Sequence, residues 1–422
     1  MDELKIIEAL RTWTKALQQK KLFDRTISKD ILRSISKEVI NIIGVRRCGK
    51  SSLLILIMQK LNIKEELILY VNFEDPIFAN DLNLELLDKI WDIYRIKLNP
   101  DKKPYIFFDE IQFIPKWEKW IKKIRDLEQA YVFVTGSSSQ LLSRDFGTSL
   151  TGRHISFALY PLSFSEYLLF KNFELPKSEL EFIDKKIWLQ RHFYDYLIGG
   201  GFPEFVLENN PELLKNYFDD MLYKDVIMRH EIRDANLLRQ LANYCLSNIA
   251  NLISFNSLKN FFKVSFETIK AYLSYLEECI LIFQIPIFSY SLKVQEVNPK
   301  KIYCIDNGLR NAVSFKFSKD EGKLAENLVF LELKRRKKEI FYWQGKKEVD
   351  FVIKEPDDTL IAMNVSFSDD IEEREIEGLK EFFDQFKDNA KKLILITKNI
   401  EKKTENISLI PIWKWILIEN IQ

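Results

Sequence analysis

The sequence predicts an α/β protein that opens with a parallel, doubly wound sheet and closes with a second, smaller α/β region. Three observations carry this prediction. Short runs rich in Val, Ile, Phe and Tyr recur between longer helical stretches over the first 160 residues, and strands that alternate with helices build parallel sheets because each crossover is helix-sized. The run at 39–43 passes straight into a glycine-bounded loop and an apolar helix, as a buried parallel strand does. Near residue 160 the alternation gives way to a helical, aromatic-rich stretch, and it returns near Gly322.

Taken in order, residues 1–38 read as a polar helical lead-in. Residues 39–43, 67–71, 105–108 and 131–135 read as strands, with helices at 52–61, 83–96 and 117–127. The region 161–250 reads as helical and lid-like, with a glycine cluster at Gly199-Gly200-Gly201. In 251–320, helices at 257–262 and 267–278 are joined through Val264-Ser265-Phe266, and strands follow at 280–288 and 301–305. In 321–422 the expected order is a helix at 323–336, strands around Phe341, Phe351 and Ala362, a helix at 371–386 and a strand at 393–397. The expected division is therefore 1–160, 161–250, 251–320 and 321–422.

Composition narrows the function classes. The 422 residues carry 63 Lys and Arg against 62 Asp and Glu, a net charge of +1. A protein held electrostatically to nucleic acid or membrane is usually more basic, so a local basic groove is what remains open. Cys48, Cys245, Cys279 and Cys304 form no CxxC pair, and the three histidines give no zinc spacing. Reduced intracellular thiols are expected. The N-terminus shows no basic segment followed by an apolar one. The longest apolar run, 279–288, is broken by Gln284 and Pro286 and is too short for a bilayer. A cytoplasmic protein without a membrane partner is expected.

Gly44-Val45-Arg46-Arg47-Cys48-Gly49-Lys50-Ser51 fits G-x-x-x-x-G-K-[ST], between strand and helix. Glycines let the backbone curl so that successive N–H groups face a phosphate, and the helix N-terminus adds partial positive charge. The loop through Ser52 is expected to hold ATP, with Lys50 reaching the β- and γ-phosphates and Ser51 ligating Mg²⁺. Asp109 and Glu110 end an apolar strand, expected to lie adjacent to the first. Asp109 is the candidate Mg²⁺ ligand and Glu110 the candidate general base, the alternative being an N-cap pair. Thr135-Gly136-Ser137-Ser138-Ser139 offers hydroxyls to the γ-phosphate or the water, or else a turn and helix cap. Arg153, in Ser149-Leu150-Thr151-Gly152-Arg153, reads either as an arginine finger or as a surface salt bridge.

These residues together resemble an AAA+ family of mainly prokaryotic and archaeal ATPases. The double arginine of the phosphate loop, Asp109-Glu110-Ile111-Gln112, Thr135-Gly136-Ser137-Ser138, Leu150-Thr151-Gly152-Arg153 and Tyr160-Pro161-Leu162-Ser163-Phe164-Ser165-Glu166-Tyr167 carry the resemblance. Gly200-Gly201-Phe202-Pro203-Glu204 resembles the Gly-Pro signature of signalling-type P-loop NTPases, which implies that Pro203 meets the nucleotide. The C-terminal part looks like the domain that accompanies such ATPases, a winged helix followed by a restriction-endonuclease-like fold. In that fold Glu326, Asp350 and the strand Ala362-Met363-Asn364-Val365-Ser366 occupy the positions of a PD-(D/E)xK site. Active members carry an acid and a lysine where this chain has Asn364 and Ser366, so a degenerate, inactive site is expected. Residual chemistry would need migrated residues such as Glu348 or Lys354. The basic run Lys334-Arg335-Arg336-Lys337-Lys338 reads as a phosphate contact or as a solvated helix end.

The winged-helix candidate would place its second helix in a DNA groove, yet that helix offers Lys270 against Glu267, Glu277 and Glu278. The expectation is an Mg-ATP-hydrolysing ATPase that couples nucleotide state to duplex DNA or to a protein partner, as monomer or homo-oligomer. A signalling or assembly switch with very slow turnover and an ATP-dependent nuclease are the alternatives.

Overall fold

The computed structural model describes residues 2–18, 21–99, 102–137, 152–176, 178–314, 320–371, 373–404 and 406–418. The chain is a mixed α/β protein of two compact units, Met1–Tyr160 and Pro161–Gln422.

The first unit is built on a five-stranded sheet of order β2-β3-β4-β1-β5. Its strands are β1 (Val39–Gly44), β2 (Ile68–Asn72), β3 (Tyr105–Asp109), β4 (Tyr131–Ser137) and β5 (His154–Leu159). All neighbours pair parallel. Every residue of β1 is buried, as a central parallel strand requires. Two features differ from the sequence reading. β5 is an additional strand at the edge beyond β1, with only some of its residues buried, so its run is less uniformly apolar. β1 and β3 are not adjacent, because the chain leaves β1 for the far edge and then works back, so that β4 fills the gap between them. Thr135 therefore lies between the phosphate loop and the acidic pair. The lead-in is part of the fold, since Ile6 and Leu10 of the helix Glu3–Gln18 pack into the core beside Leu69, Ile90 and Tyr94.

The second unit begins with helices that converge on the glycine cluster. Gly200 has φ +76°, and a Cβ there would fall 2.2 Å from Asp306 Oδ1. A Cβ on Gly201 would lie 2.4 Å from the Leu162 carbonyl oxygen, and one on Gly308 1.9 Å from that of Gly199. Only glycine permits these approaches. Asp306 is the buried anchor of the junction, accepting hydrogen bonds from the Gly201 N–H at 2.7 Å and the Leu309 N–H at 2.8 Å.

A three-stranded antiparallel sheet follows, with β6 (Leu252–Ile253), β7 (Ile282–Ile285) and β8 (Lys300–Cys304) in the order β6-β8-β7. It packs with the helices Ala235–Ser247, Phe255–Phe262 and Phe266–Glu278. Ile269, Leu273 and Leu276 are the buried stripe of the last helix. The segment between β7 and β8 is tied to the next sheet. Phe288 joins the core that contains Phe341, Trp343 and Phe382, and its N–H donates to the Tyr342 carbonyl at 2.6 Å.

The C-terminal sheet has six strands in the order β13-β14-β12-β11-β10-β9. β9 (Glu339–Gln344), β10 (Glu348–Lys354) and β11 (Leu360–Ser366) form an antiparallel meander after the helix Glu321–Arg335. The helix Glu373–Gln385 then crosses to β12 (Ala390–Thr397), which pairs parallel with β11. β13 (Lys402–Lys403) and β14 (Ile407–Pro411) complete the edge.

The Asp306 anchor yields a pH test. Burial pushes its carboxyl up to about 6 from an ordinary 3.8, against the pull of the Gly201, Leu309 and Gly308 N–H groups. A carboxyl whose folded value is the higher one binds its proton more tightly in the folded state. Its contribution is full below the unfolded value and is lost as pH rises through the folded one. Asp306→Asn removes this dependence and adds an offset that does not vary with pH. In urea unfolding series, the wild type is expected to lose on the order of 2 kcal/mol relative to the variant between about pH 4 and about pH 6. Parallel pH profiles for the two proteins would refute the assignment.

Candidate active site

The phosphate-type loop leaves the C-terminal end of β1 and enters the helix Lys50–Leu61. Gly44 has no room for a side chain, because a Cβ would meet the Leu159 carbonyl oxygen at 2.4 Å and Cys48 Sγ at 2.8 Å. Arg47 (φ 68°) and Gly49 (φ 101°) are left-handed, which folds the loop back on itself and turns successive N–H groups toward one side. The helix starts on Gly49 without a side-chain cap, so its first-turn donors are not spent on one. Val45 and Cys48 are buried, and burial pushes the Cys48 thiol up, which makes it a packing group. Arg25 supports the loop from behind, donating to the Cys48 carbonyl at 3.1 Å and the Tyr160 carbonyl at 2.7 Å.

Lys50 is buried, and its ammonium donates to the carbonyls of Gly44 at 3.2 Å and Val45 at 3.4 Å. It also lies 3.6 Å from Glu110 Oε1. Glu110 sits just past β3 with φ 54°, a conformation that sets its carboxylate against Lys50. The Gln112 amide donates to the second Glu110 oxygen. Thr135 bridges the two acids, for its hydroxyl donates to Asp109 and accepts the Glu110 N–H at 3.0 Å. Asp109 also accepts from the Tyr70 hydroxyl at 3.1 Å and from the Ser51 hydroxyl. Burial, helped by the neighbouring Glu110 charge, raises the Asp109 carboxyl to about 6. Burial acts on Glu110 in the same direction, but Lys50, Gln112 and Arg46 outweigh it and hold that carboxyl below its ordinary value. Two adjacent carboxyls are thus driven apart, the usual preparation for different roles. Ser51 and Asp109 are hard oxygen donors already in contact, a donor pair that fits Mg²⁺.

Arg46 pairs with Glu74 at 3.3 Å, Arg47 is exposed, and Ser52 lies half-buried in the first helical turn. Ser138, Ser139, Ser149, Leu150 and Thr151 lie outside the described residues. Arg153 precedes β5 at the opposite end of the sheet from the loop: Val39 pairs with His154, whereas Gly44 pairs with Leu159. The six residues of β1 put about 16 Å between those ends, so Arg153 stands at the far end of the sheet from its own phosphate-type loop. Its guanidinium pairs with Asp126 at 3.2 Å. Pro203 is in the second unit, opening the helix Pro203–Glu208 behind the buried Phe202. Its preceding glycines have the steric duties described above. Arg25 and Tyr70 are site neighbours that no motif announces, whereas Gln112 belongs to the quoted Asp109-Glu110-Ile111-Gln112 stretch without a role having been read for it.

In the C-terminal region, Glu326 and Asp350 are brought together, and each pairs with Lys301 at 2.8 Å. Glu348 joins them, whereas Lys354 pairs with Asp358 at 3.0 Å. Asn364 is committed to backbone, accepting the Asp350 N–H at 2.9 Å and donating to the Glu375 carbonyl at 2.9 Å. Ser366 exchanges a hydrogen bond with Ser368. The basic run is also committed: Arg335 donates to the Pro161 carbonyl, Arg336 pairs with Glu332, and Lys338 pairs with Glu355. The helix Phe266–Glu278 exposes Glu267, Lys270, Ser274 and Glu277. Among the described residues, no helix is long and apolar enough to cross a membrane.

Comparison with known proteins adds the family. Residues 36–168 match a family described as an AAA domain. Residues 190–320 and 321–415 match two domains of unknown function, DUF8612 and DUF4143. The uncharacterized protein MJ1544 of Methanocaldococcus jannaschii is 36% identical over 418 residues, covering 93% of this chain and 91% of that one. An uncharacterized protein of Haemophilus influenzae is 29% identical over 392 residues, covering 89% and 93%. Among solved structures, the chain is similar to the Walker-type ATPase PABY2304 of Pyrococcus abyssi at 15% identity and a TM-score of 0.46, covering 70% of this chain and 99% of that one. The glycine-bounded loop and the acidic pair lie inside the AAA match, and the alignment with MJ1544 runs through nearly all that follows: the chain belongs to the MJ1544 family, with an AAA-type ATPase domain at its N-terminal end.

Proposed function

We propose that this chain binds and hydrolyses Mg-ATP and passes its nucleotide state to a protein partner. The observation that carries the chemistry is the buried constellation in which Lys50 is paired with Glu110 while Thr135 ties Glu110 to Asp109. Gly44 to Ser52 would cradle the phosphates, and Ser51 and Asp109 would hold Mg²⁺. Mg²⁺, when bound, offsets negative charge on the phosphates. Lys50 has a stronger partner in a phosphate than in two carbonyls, so nucleotide draws its ammonium away from Glu110. Glu110, freed and ionised, then accepts a proton from the attacking water, and Gln112 and the left-handed backbone fix its direction. Arg153 is assigned to the loop of a neighbouring copy, where a guanidinium would offset charge on the transferring phosphoryl group.

The charge of the second unit supports a protein partner over duplex DNA. The helix available to a groove carries one lysine against Glu267, Glu277 and Glu278, and phosphate contacts supply most DNA affinity. The segment that would serve as its wing is packed into the C-terminal core through Phe288. In this reading the C-terminal domain is a winged helix joined to a nuclease-like fold without nuclease activity, since Asn364 and Ser366 replace an acid and a lysine.

Steady-state ATP hydrolysis with and without duplex DNA tests the partner assignment. Turnover that DNA leaves unchanged is expected, and DNA-stimulated turnover would overturn it. Lys50→Ala is expected to lose nucleotide affinity and turnover together. Glu110→Gln is expected to keep affinity and slow hydrolysis by about 10²-fold or more. Nucleotide affinity measured by fluorescent-analogue titration separates the two, and a Glu110→Gln chain with normal turnover would remove that residue from the chemistry. For Arg153, chains carrying Arg153→Ala are mixed with chains carrying Glu110→Gln. Partial recovery of ATPase activity on mixing is expected for a residue acting on its neighbour, whereas additive residual rates would place it outside the reaction.

A further inference from the structure

The helix Lys186–Gly199 is apolar on two opposite faces. One face, with Leu189, Phe193, Tyr196 and Leu197, is buried within the second unit. The other lies in water and continues onto the helix Glu179–Asp184, which abuts it at Lys185. The Lys185 N–H donates to the Glu181 carbonyl at 3.0 Å, and the Leu189 N–H donates to the Lys185 carbonyl at 2.9 Å, so the helical turn carries across the junction. On this outer face Leu180, Ile183, Ile187 and Trp188 are between 57 and 80% exposed, and Tyr194 is exposed beside them. Single exposed apolar residues are ordinary, but a contiguous patch marks an interaction surface. A helix that is apolar on every side is normally covered on every side.

The charges within the patch indicate what covers it. Leu180, Asp184, Ile187, Arg191 and Tyr194 follow one another at intervals of four, three, four and three residues, the spacing of a helix seam that packs on a second helix. The seam reads apolar, acid, apolar, base, apolar, and it is centred on Ile187. Asp184 stands three residues before that centre and Arg191 four after it, while Leu180 and Tyr194 stand seven to either side. Asp184 and Arg191 are exposed, and neither has an ion pair among the described residues. Glu181 and Lys185, off the seam, pair with each other at 3.8 Å. Laid antiparallel on itself about Ile187, the seam meets its own complement. Ile187 packs on its equivalent, Leu180 meets Tyr194, and Asp184 meets Arg191 twice. That is the condition for a two-fold interface, in which residue i meets j and j meets i. A foreign partner imposes no such symmetry on the charges of this chain.

We propose that this stripe is the interface with a second copy of the chain, an antiparallel helix pair whose two-fold axis passes at Ile187. Ile183 and Trp188 flank the seam and supply apolar bulk, and the two Asp184–Arg191 pairs fix the register. The inference does not rest on the ATPase reading.

Sedimentation equilibrium of the full chain in nucleotide-free buffer tests it, because a contact of Arg153 with a neighbour's phosphates then plays no part. The wild type is expected to show a reversible equilibrium between monomer and dimer. Ile187→Asp is expected to weaken the dimer at least about tenfold by placing two carboxylates at the axis. Asp184→Arg alone and Arg191→Asp alone are each expected to weaken it at least about tenfold, since each sets like charges opposite one another. The double variant Asp184→Arg/Arg191→Asp is expected to restore association to within about threefold of the wild type, because the pairs re-form with their signs exchanged. The three positions are exposed in the single chain, so thermal unfolding of the variants is expected to match the wild type. A monomeric wild type would leave the stripe to a different protein and overturn the proposal. A dimer that Ile187→Asp leaves intact, a single charge reversal without effect, or a double variant that fails to recover also overturns it.

Discussion

The Lys50 ammonium is buried in a loop that offers it carbonyl oxygens at 3.2 and 3.4 Å and a carboxylate at 3.6 Å. The rest of the first unit is arranged around that charge. A buried charge is tolerated only when it is paired. Glu110 supplies the pair, and its left-handed backbone is what turns the carboxylate inward. That backbone is in turn fixed by Thr135, whose strand stands between β1 and β3. The strand order is therefore a chemical matter as well as a topological one. Thr135 fixes the two acids in place, while burial raises the Asp109 carboxyl and Lys50 outweighs burial at Glu110.

Lys301 is the counterpart in the second unit, with a different consequence. Lys50 faces a cradle of backbone N–H groups that a phosphate can enter, so its pairing with Glu110 is exchangeable. Lys301 is enclosed by acids that have further hydrogen bonds of their own, so its pairing is permanent unless β8 moves. Breaking such a buried pair by removing one partner typically costs about 3–5 kcal/mol. The cluster thus joins the strand β8 to the helix Glu321–Arg335 and to β10, and Phe288 joins the same segment to the C-terminal core. The helix pair before β7 and the sheet after β8 are held as one body by these two contacts, one ionic and one apolar.

What the sequence disclosed follows from how locally each feature is encoded. The loop from Gly44 to Ser51 was legible because its function needs contiguous residues, and Asp109-Glu110 because a strand end places neighbours side by side. Strand positions were legible from composition. The order of the strands was not, since 39–43 and 105–108 look the same whether adjacent or one apart. Arg25 and Tyr70 were invisible because their meaning comes from residues on other elements. The cluster Gly199-Gly200-Gly201 was visible, but the steric need it serves, letting Asp306 and Leu162 approach, comes from residues on other elements. The same holds for the lysine of the C-terminal region. Lys354 stood where sequence spacing drew attention, while Lys301 arrives from a strand 25 residues before Glu326 in sequence.

Asn364 shows why the C-terminal site and its lysine belong together. In the third strand of the meander, an acid at this position would add a charge beside Asp350 and Glu348. Asn364 instead uses its carbonyl oxygen to accept the Asp350 N–H and its amide to donate to the Glu375 carbonyl, both at 2.9 Å. A carboxylate could accept but not donate, and it would leave the Glu375 carbonyl without that partner at a cost of about 1–3 kcal/mol. With a lysine already filling the centre, a neutral amide that serves the backbone is the better residue.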